Sequence, residues 1–548
     1  MVNILRRSLL LGLACGLLFV QPLRSEEGVK GNLVTVSWLR KNLRQGDMII
    51  LDASPAQLYA ANHIPGALNY DIFTYGAREL PAEEMEKRYQ SWGISPGKKI
   101  VIYDQGGTYM ATRLFFSLDY YGFPTNNLFI LDGGFAKWQA SGGPVTNAAT
   151  PSPQKGSFTI GKLNSNERVD LPEFLTASGD PRKNVLLEAL DASWHYGGLS
   201  FFSKPGHIPH AIMMPSADFY NPDKTFKSPE EIRAMLAYLG IRPEQQVLTH
   251  CGGGIAASVP FFALKFMLGY PRVRLYPGSE LEWVSDQREL PVWTYDAPYL
   301  MRATQWLQFW GGDKARMYGV SNVAIVDVRS REAYEGGHVP FSLNIPAAIF
   351  GSHIARPAEL AAILGSAGVS ASQEAVVVSG AGLNKEAAIA FLMLEMMGQK
   401  NISVLMDPKD KWTQLGFKVT TDSTVVSDAG SQQGLSIPRT VYPTMLRENV
   451  IITDPARTHG VYPKVYVASG KSVPAILRGR TVAHVPYTDL LNGDGMPKAA
   501  KDIWAVLSKA GVPRYAELVC YSDDPGEAAV NYFILKLMGY PDIKVLSR

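Results

Sequence analysis

The chain has 548 residues, of which 46% are hydrophobic and 19% are charged, a composition typical of folded protein. Its formal net charge is only +3, which excludes a strongly basic surface and makes nucleic acid an unexpected partner. Cys15, Cys251 and Cys520 are its only cysteines, and none has zinc-ligand spacing. A disulfide framework and a structural metal are therefore not expected, and any cysteine chemistry must use a single thiol.

The first segment, residues 1–25, has the features of an export signal. Arg6 and Arg7 precede an apolar run over Leu9–Val20, and such a run is too short for a membrane span of about 20 residues. Cys15 lies inside this run, which continues beyond it, whereas a lipid-attachment motif would end at its cysteine. We expect a periplasmic or secreted protein without a lipid anchor at Cys15, with twin-arginine export as the less favoured route.

A His-Ile-Pro or His-Val-Pro tripeptide recurs four times along the chain. Each copy precedes a short apolar run ending in a polar loop, an amphipathic stretch closed by glycine, and a second apolar run; the tripeptides begin at His63, His207, His338 and His484. This periodicity predicts four copies of one unit. The repeats span 30–147, 163–296, 301–420 and 438–548. Because the histidine also recurs in copies without a reactive residue, we expect it to stabilise a turn.

Each repeat is predicted to be an α/β unit. Short β-branched runs without polar alternation are typical of strands buried on both faces, and helices between them imply parallel crossovers. We therefore expect a central parallel sheet flanked by helices in every copy. Linkers are predicted at 146–162, 295–300 and 420–438, the last being the most flexible.

The loop after the central strand decides which copy can carry out chemistry, since ligands of open parallel sheets bind beyond the carboxyl ends of strands. Equivalent positions of this loop hold Asp104, Cys251, Gly380 and Ser522. Only the second repeat has a strong nucleophile there. Cys251 is the predicted catalytic residue.

The residues around this cysteine suggest a binding loop for an anion. Three glycines permit close backbone approach with N–H groups turned inward, and a helix predicted to begin near Ala256 adds partial positive charge. Both would favour a thiolate or a persulfide, Cys–S–S⁻. The predicted substrate-binding residues are His250, Gly252, Gly253, Gly254, Ile255 and Ala256. A buried, inert cysteine is the alternative.

These motifs resemble the rhodanese family, and the first two repeats together resemble a tandem thiosulfate/3-mercaptopyruvate sulfurtransferase. The resemblance rests on the aspartate in IVIYD of repeat one, on LDGGFAKW and YPGSELEW after the loops, and on VDVRSREAYEGGHVP in repeat three. It implies transfer of a sulfane sulfur from a small anionic donor to a thiol or another thiophilic acceptor through a Cys251 persulfide. Thiosulfate, 3-mercaptopyruvate and polysulfide are the donor types that it implies, and no cofactor is implied.

Several positions depart from the family pattern. Leu190 and Trp194 stand where arginines that bind the donor are expected, and His210 replaces a glycine. His250 and His210 are two candidates for replacing the missing positive charge, although each could simply be packed. These departures leave the choice among the donors open.

Two other functions compete with sulfur transfer. A cysteine phosphatase would need an arginine where Ala257 stands. A non-catalytic periplasmic sulfur or selenium carrier, or a docking protein of a redox assembly, would load Cys251 but turn over only beside a redox partner. Cys520 precedes the acidic loop around Ser522 and is predicted to be an inert core thiol.

Overall fold

The computed structural model describes residues 28–43, 45–75, 79–200, 203–428, 436–456 and 460–547. The predicted export signal, residues 1–25, lies outside the described residues, as does part of the predicted 420–438 linker. Within the described residues, no helix has both the length and the apolar character needed to span a membrane.

The first two repeats supply ten strands and eleven helices of the described chain. In repeat one the strands are β1 Val29–Lys30, β2 Leu33–Val34, β3 Met48–Asp52, β4 Leu68–Asn69, β5 Lys99–Tyr103 and β6 Leu128–Leu131, and the helices are α1 Val36–Asn42, α2 Ala56–Ala61, α3 Ile72–Tyr75, α4 Ala82–Ser91, α5 Met110–Tyr120 and α6 Gly134–Ala140. In repeat two they are β7 Asn184–Glu188, β8 Ala211–Met213, β9 Gln246–His250 and β10 Val273–Leu275, with α7 Leu171–Ser178, α8 Ala192–His195, α9 Pro229–Tyr238, α10 Ser258–Phe262 and α11 Ser279–Ser285.

The last two repeats follow the same order of elements. Repeat three contains β11 Met301–Arg302, β12 Val323–Asp327, β13 Ser342–Asn344, β14 Glu374–Val378 and β15 Asn401–Leu405, with α12 Thr304–Gly311, α13 Asp313–Met317, α14 Arg331–Glu335, α15 Ala347–Ser352, α16 Pro357–Ser366, α17 Lys385–Met396 and α18 Lys409–Gln414. A two-stranded pair follows, β16 Val426–Ser427 and β17 Ile437–Pro438. Repeat four contains β18 Ile451–Ile452, β19 Lys464–Ala468, β20 Val482–His484, β21 Glu517–Tyr521 and β22 Ile543–Leu546, with α19 Ala500–Lys509 and α20 Pro525–Leu537.

Each repeat has one sheet, and the four sheets share a strand order. The orders are β1-β2-β6-β5-β3-β4, β10-β9-β7-β8, β11-β15-β14-β12-β13 and β18-β22-β21-β19-β20. All neighbours are parallel except β1 and β2. The predicted fold class, α/β repeats with central parallel sheets flanked by helices, is confirmed. Its physical cause is the run of apolar residues in each central strand, which is buried from both faces.

The tryptophan that closes three of the repeats has one structural role. Trp138, Trp283 and Trp412 are all buried, and each indole N–H donates to a backbone carbonyl, on Pro144, Pro291 and Lys418, at 2.9 Å. Each tryptophan thus binds the segment of chain that follows it, at the point where the chain leaves the repeat. This repeated contact explains why the turn-and-tryptophan pattern recurs.

The helix after the glycine-rich loop of repeat two differs from its equivalents and from the prediction. α10 begins at Ser258 rather than near Ala256, contains five residues, and continues as a π-helix over Ala263–Met267. The equivalent helices α5, α17 and α20 are regular over eleven to thirteen residues. The glycine-rich chain before Ser258 forms bends and turns instead of a first helical turn. The positive end of this helix therefore lies at Ser258, seven residues after Cys251.

The repeats pack in two pairs through these same helices. α5 meets α10 through the edge-to-face pairs Phe115–Phe262 and Phe116–Phe261, and α17 meets α20 in the same way through Phe391–Phe533. One hydrophobic cluster joins repeats one and two, and another joins repeats three and four and extends to repeat two. Repeats three and four thus form a second tandem body like the first.

Candidate active site

Cys251 lies directly after β9, at the carboxyl edge of the second sheet, where the sequence places it. Its side chain is only 2% exposed. Its backbone is fixed on both sides: the Cys251 N–H donates to Ser279 Oγ at 3.1 Å, and its carbonyl accepts from the Glu280 N–H at 3.0 Å. The sulfur therefore sits at the base of the loop rather than on an open surface.

The glycine loop brings one amide to the sulfur. The Gly254 N–H donates to Cys251 Sγ at 3.1 Å, with Gly254 at a φ of +81°. In the described structure, the N–H groups of Ile255, Ala256 and Ala257 donate to no backbone or side-chain acceptor. Gly253 is exposed at the outer side of the loop. The loop thus holds the sulfur with one amide, and the three amides that follow Gly254 are unpaired in the described structure.

Repeat one shows what the same loop does when its occupant is a carboxylate. Asp104 takes the place of Cys251 and accepts hydrogen bonds from the N–H groups of Gly106, Met110 and Ala111 at 2.8–3.1 Å. The Thr108 hydroxyl donates to it as well, at 2.6 Å. Four donors converging on one anion show that this loop fold is an anion cradle. The cradle is filled in repeat one by the protein's own side chain.

Repeat one also forms a wall of the candidate site. The backbone carbonyl of Tyr109 accepts from Ser258 Oγ at 3.4 Å, and Thr112 Oγ1 lies 2.8 Å from the same hydroxyl. Burial, and to a smaller degree Cys251 and Asp104, raise the pKa of Tyr109. No sequence pattern identifies Tyr109. Its position beside Ser258 follows from the packing of α5 on α10.

A buried polar cluster lies behind the sulfur and was also missed. Glu188, at the end of β7, is the register partner of His250 on the neighbouring strand β9. The Glu188 carboxylate contacts His195 Nδ1. His195 Nε2 lies 3.0 Å from an Asp296 carboxylate oxygen. Glu280, at the start of α11, is also buried, and its carboxyl and that of Glu188 affect each other's pKa. Hydrophobic patterning cannot reveal such a cluster, because its members are widely separated in sequence.

The ionisable groups of this cluster have pKa values shifted in different directions. Burial disfavours charge on His195, but Asp296 and Glu188 outweigh it and raise the His195 pKa to about 9. Burial also opposes the Glu188 charge, yet His195 holds the pKa of Glu188 well below its usual range. Burial, then the charge of Glu188, then that of Cys251, raise the pKa of Glu280 well above its usual range. Glu280 is therefore the neutral member of the carboxyl pair.

Two histidines considered in the sequence analysis are not placed to bind a donor. His250 is fully buried on β9, and burial lowers its pKa to about 4. His210, at a φ of +66°, precedes β8 and so lies at the opposite edge of the sheet from Cys251, packed edge-on against Trp293. Neither supplies positive charge at the sulfur. Leu190 lines the apolar cluster shared with repeat one.

The other equivalent loops carry no comparable nucleophile. Ser379, beside Gly380, closes its loop by donating to the Gly382 carbonyl at 2.7 Å. Ser522 donates to a Glu527 carboxylate oxygen at 2.6 Å, so the setting is acidic. Cys520 is fully buried on β21, and burial raises its pKa far above the usual range. These features favour an inert role for Cys520.

In three repeats the recurrent histidine stabilises a turn by stacking on another ring and by hydrogen bonding to a backbone carbonyl. His63 and His338 stack on Tyr59 and Tyr334, with ring centroids 3.6–3.7 Å apart, and each bonds that tyrosine's carbonyl through Nδ1 at 2.8 Å. His207 does the same with His195, at 3.7 Å and 2.8 Å. His195 thus replaces the tyrosine of the other repeats.

One group of possible metal ligands comes together in the described part of the chain: His195, His207 and Asp296. The two imidazole rings are stacked with only 2° between their planes. The lone pair of an imidazole nitrogen lies in the plane of its ring. Because the two ring planes are parallel, lone pairs from His195 and His207 do not converge on one ion. Both nitrogens of His195 also face carboxylates. The group does not suit a metal.

Comparison with known proteins agrees with this architecture. A family model described as a rhodanese-like domain matches residues 35–141, 177–286 and 313–415. A probable 3-mercaptopyruvate sulfurtransferase of Pseudomonas aeruginosa is 31% identical over 285 residues, covering 48% of this chain and 98% of that protein. The sulfur carrier protein TtuD of Thermus thermophilus is 30% identical over 268 residues, covering 46% and 93%. The structure of the 3-mercaptopyruvate sulfotransferase SseA from Escherichia coli matches 46% of this chain and 99% of its own, with 25% identity and a TM-score of 0.42.

Proposed function

This chain belongs to the rhodanese family, and from that premise we propose that it is a sulfurtransferase whose second repeat carries sulfur as a persulfide on Cys251. The relatives that match half of the chain are named as sulfurtransferases or as a sulfur carrier. Small sulfur-containing anions are the proposed donors, and a thiol or another thiophile is the proposed acceptor.

The observation that carries the proposal is the filled cradle of repeat one. An aspartate reaches its donors through Cβ, Cγ and Oδ, and a cysteine persulfide has the same number of bonds, each of them longer, through Cβ, Sγ and the outer sulfur. Asp104 Oδ2 accepts from the amides of Met110 and Ala111. Counted in the same way from Cys251, the amide that corresponds to that of Met110 is the Ala257 N–H, which is unpaired in the described structure and would be available to the outer sulfur.

The reaction then follows in two displacements. The Cys251 thiolate attacks the outer sulfur of the donor, and the electron pair of the broken bond leaves with the rest of the donor, as sulfite in the case of thiosulfate. An acceptor such as cyanide next attacks the outer sulfur and releases the Cys251 thiolate. Cys251 is 2% exposed, so both reactants would reach it only with some movement of the loop, of which Gly253 is the exposed residue.

The test compares Cys251→Ser with Cys520→Ser in the full chain. Thiocyanate formation from cyanide is measured with thiosulfate, 3-mercaptopyruvate or polysulfide as donor. We expect the first variant to lose transfer with every donor and the second to keep it. Transfer retained by Cys251→Ser would refute the proposal.

We also propose that residues 1–25 direct export, so that the acceptor is a periplasmic or extracellular thiol or redox protein. The basis is the charge and hydropathy pattern of that segment alone. Fractionation of cells that produce the full chain tests this. Recovery of an unprocessed chain from the cytoplasm would contradict it.

A further inference from the structure

Repeat four contacts repeat two through two side chains in the turn before β21. Arg514 Nη1 lies 3.3 Å from Asp218 Oδ2, and the Tyr515 hydroxyl donates to the same oxygen at 2.9 Å. Arg514 Nη2 also donates to the Met213 carbonyl at 2.6 Å. The equivalent turns of the first three repeats contain Pro96 and Gly97, Pro243 and Glu244, and Ala371 and Ser372. The contact with Asp218 therefore depends on residue types found at this turn in repeat four alone.

The contact at Asp218 is partly removed from water. The side chains of Asp218 and Arg514 are 25% and 18% exposed, so solvent and salt screen their attraction less than that of an exposed pair. A neighbouring hydrogen bond runs the other way between the repeats, because the Tyr238 hydroxyl of α9 donates to the Ala516 carbonyl at 2.9 Å. Repeat four is thus fixed to repeat two at a defined place.

Asp218 lies in a short 3-10 helix, Ser216–Phe219, which also packs beside the candidate active site. This helix contacts α10, the helix that follows the glycine-rich loop of Cys251. Its Phe219 is fully buried and belongs to the same apolar cluster as Cys251. The element that repeat four holds is therefore one of those against which α10 packs.

The chain that follows this 3-10 helix reaches the wall that repeat one forms. The Tyr220 hydroxyl donates to the Thr108 carbonyl at 2.6 Å. The next carbonyl, that of Tyr109, lies 3.4 Å from Ser258 Oγ. The same Ser258 hydroxyl donates to the Ile255 carbonyl of the glycine-rich loop at 2.6 Å. One short segment of repeat two therefore contacts both α10 and the opposing wall of the site.

We propose that Asp218 is a positioning residue for the Cys251 loop and that repeat four fixes it in place through Arg514 and Tyr515. The inference deepens the proposed function and rests on it. It gives repeat four a part in transfer without a nucleophile of its own. Because Asp218 acts through α10 and not on a reactant, its removal should slow the reaction rather than weaken donor binding.

The first test measures thiocyanate formation per folded molecule in variants of the full chain. Asp218→Ala should lower kcat by about tenfold through misplacement of the loop, with little change in KM for the donor. Asp218→Asn keeps an acceptor for the Tyr515 hydroxyl and should recover part of the loss. The matched control is Asp489→Ala, at the corresponding 3-10 helix of repeat four, where the aspartate is exposed; it should match the wild type.

A second test asks whether Asp218 and Tyr515 act together. Tyr515→Phe removes one hydroxyl and keeps the ring, and it should lower kcat by about threefold, as expected for one hydrogen bond. Adding it to Asp218→Ala should cause no further loss, because both changes break the same hydrogen bond. Effects that multiply in the double variant would overturn the inference.

Alkylation by iodoacetamide separates positioning from general stability. Asp218→Ala should raise the alkylation rate of Cys251, which is 2% exposed, by about tenfold because its loop opens more often. The rate at Cys520, fully buried in repeat four, should stay the same. Equal increases at both cysteines, or an unchanged kcat per folded molecule, would indicate a structural role only and would overturn the inference.

The two readouts also distinguish this inference from the proposed function. A wild type that transfers no sulfur, or transfer that survives in Cys251→Ser, would refute the proposed function. Alkylation needs no transfer, so the ratio of the two alkylation rates would still decide whether Asp218 positions the loop.

Discussion

Repeats one and two fold the same loop around different occupants. In repeat one the Asp104 carboxylate collects three amides and the Thr108 hydroxyl. In repeat two Cys251 Sγ collects the Gly254 amide, and neighbouring amides stay open. The comparison teaches that the same loop has its main-chain donors satisfied by its own carboxylate in one copy, whereas in the other several of these donors are left unpaired.

The second difference lies beneath the two loops. In repeat one Tyr103 stands on the strand where repeat two has His250, and its hydroxyl hydrogen-bonds the buried Asp52 and accepts from the Ile64 N–H at 3.1 Å. Phe135 fills the place of Glu280. Repeat one thus has aromatic rings at the two positions where repeat two has His250 and Glu280, although both repeats contain buried polar atoms without a partner. Cys251, the proposed nucleophile, follows the strand that carries His250.

Among the changes that test this comparison, Gly254→Ala is expected to have the largest effect on stability and on transfer. A Cβ there would lie 2.3 Å from the Pro277 carbonyl oxygen at a φ of +81°, so the loop would have to move its amide away from Cys251. We expect stability to fall by about 3 kcal/mol or more and transfer to be nearly lost. Gly253→Ala is the matched control, because its Cβ meets nothing within 4 Å. Equal effects of the two changes on cyanide-dependent turnover would argue against a defined cradle.

The second-largest effect is expected from pH, which should change the free energy of unfolding through His195 of repeat two. The His195 pKa is raised from 6.5 to about 9, so protonated His195 stabilises the fold fully below pH 6.5, and this contribution is lost as the pH rises toward 9. A shift of this size corresponds to about 3 kcal/mol. Urea unfolding at several pH values should show the decline in the wild type and a much smaller decline in His195→Gln. An unchanged slope in that variant would contradict the assigned charge.

A moderate effect is expected from Asp104→Ala in repeat one. The change leaves the donors of Gly106, Met110 and Ala111 without their acceptor, at a cost of about 1–3 kcal/mol in stability. Transfer per folded molecule should change little, since Asp104 touches no reactant. Thermal unfolding and turnover are measured together. A loss of turnover much larger than the loss of folded protein would show that repeat one takes part in the chemistry.

The smallest effect is expected from Cys520→Ser in repeat four. The thiol is fully buried on β21, so a hydroxyl there costs about 1–3 kcal/mol of stability if it finds no partner. The alkylation rate of Cys251 should be unaffected. A changed rate would mean that this thiol contributes to the reactivity of Cys251.

The sequence predicted the features that local patterns determine. Buried strands, the four-fold tripeptide and the single cysteine before three glycines led to the sheets and to Cys251. The start of α10 was predicted two residues too early, because bends favoured by Gly252–Gly254 delay the first helical turn. Glu188, Glu280 and Tyr109 escaped prediction because their roles arise from contacts between distant segments, which periodicity does not report.

The most direct test of the central claim is the intact mass of the purified protein after brief exposure to thiosulfate, 3-mercaptopyruvate or polysulfide. The wild type should gain one sulfur atom on Cys251 and lose it on addition of cyanide, whereas Cys251→Ser should gain none. Lack of added sulfur with every donor, or addition to Cys520 instead, would contradict the account.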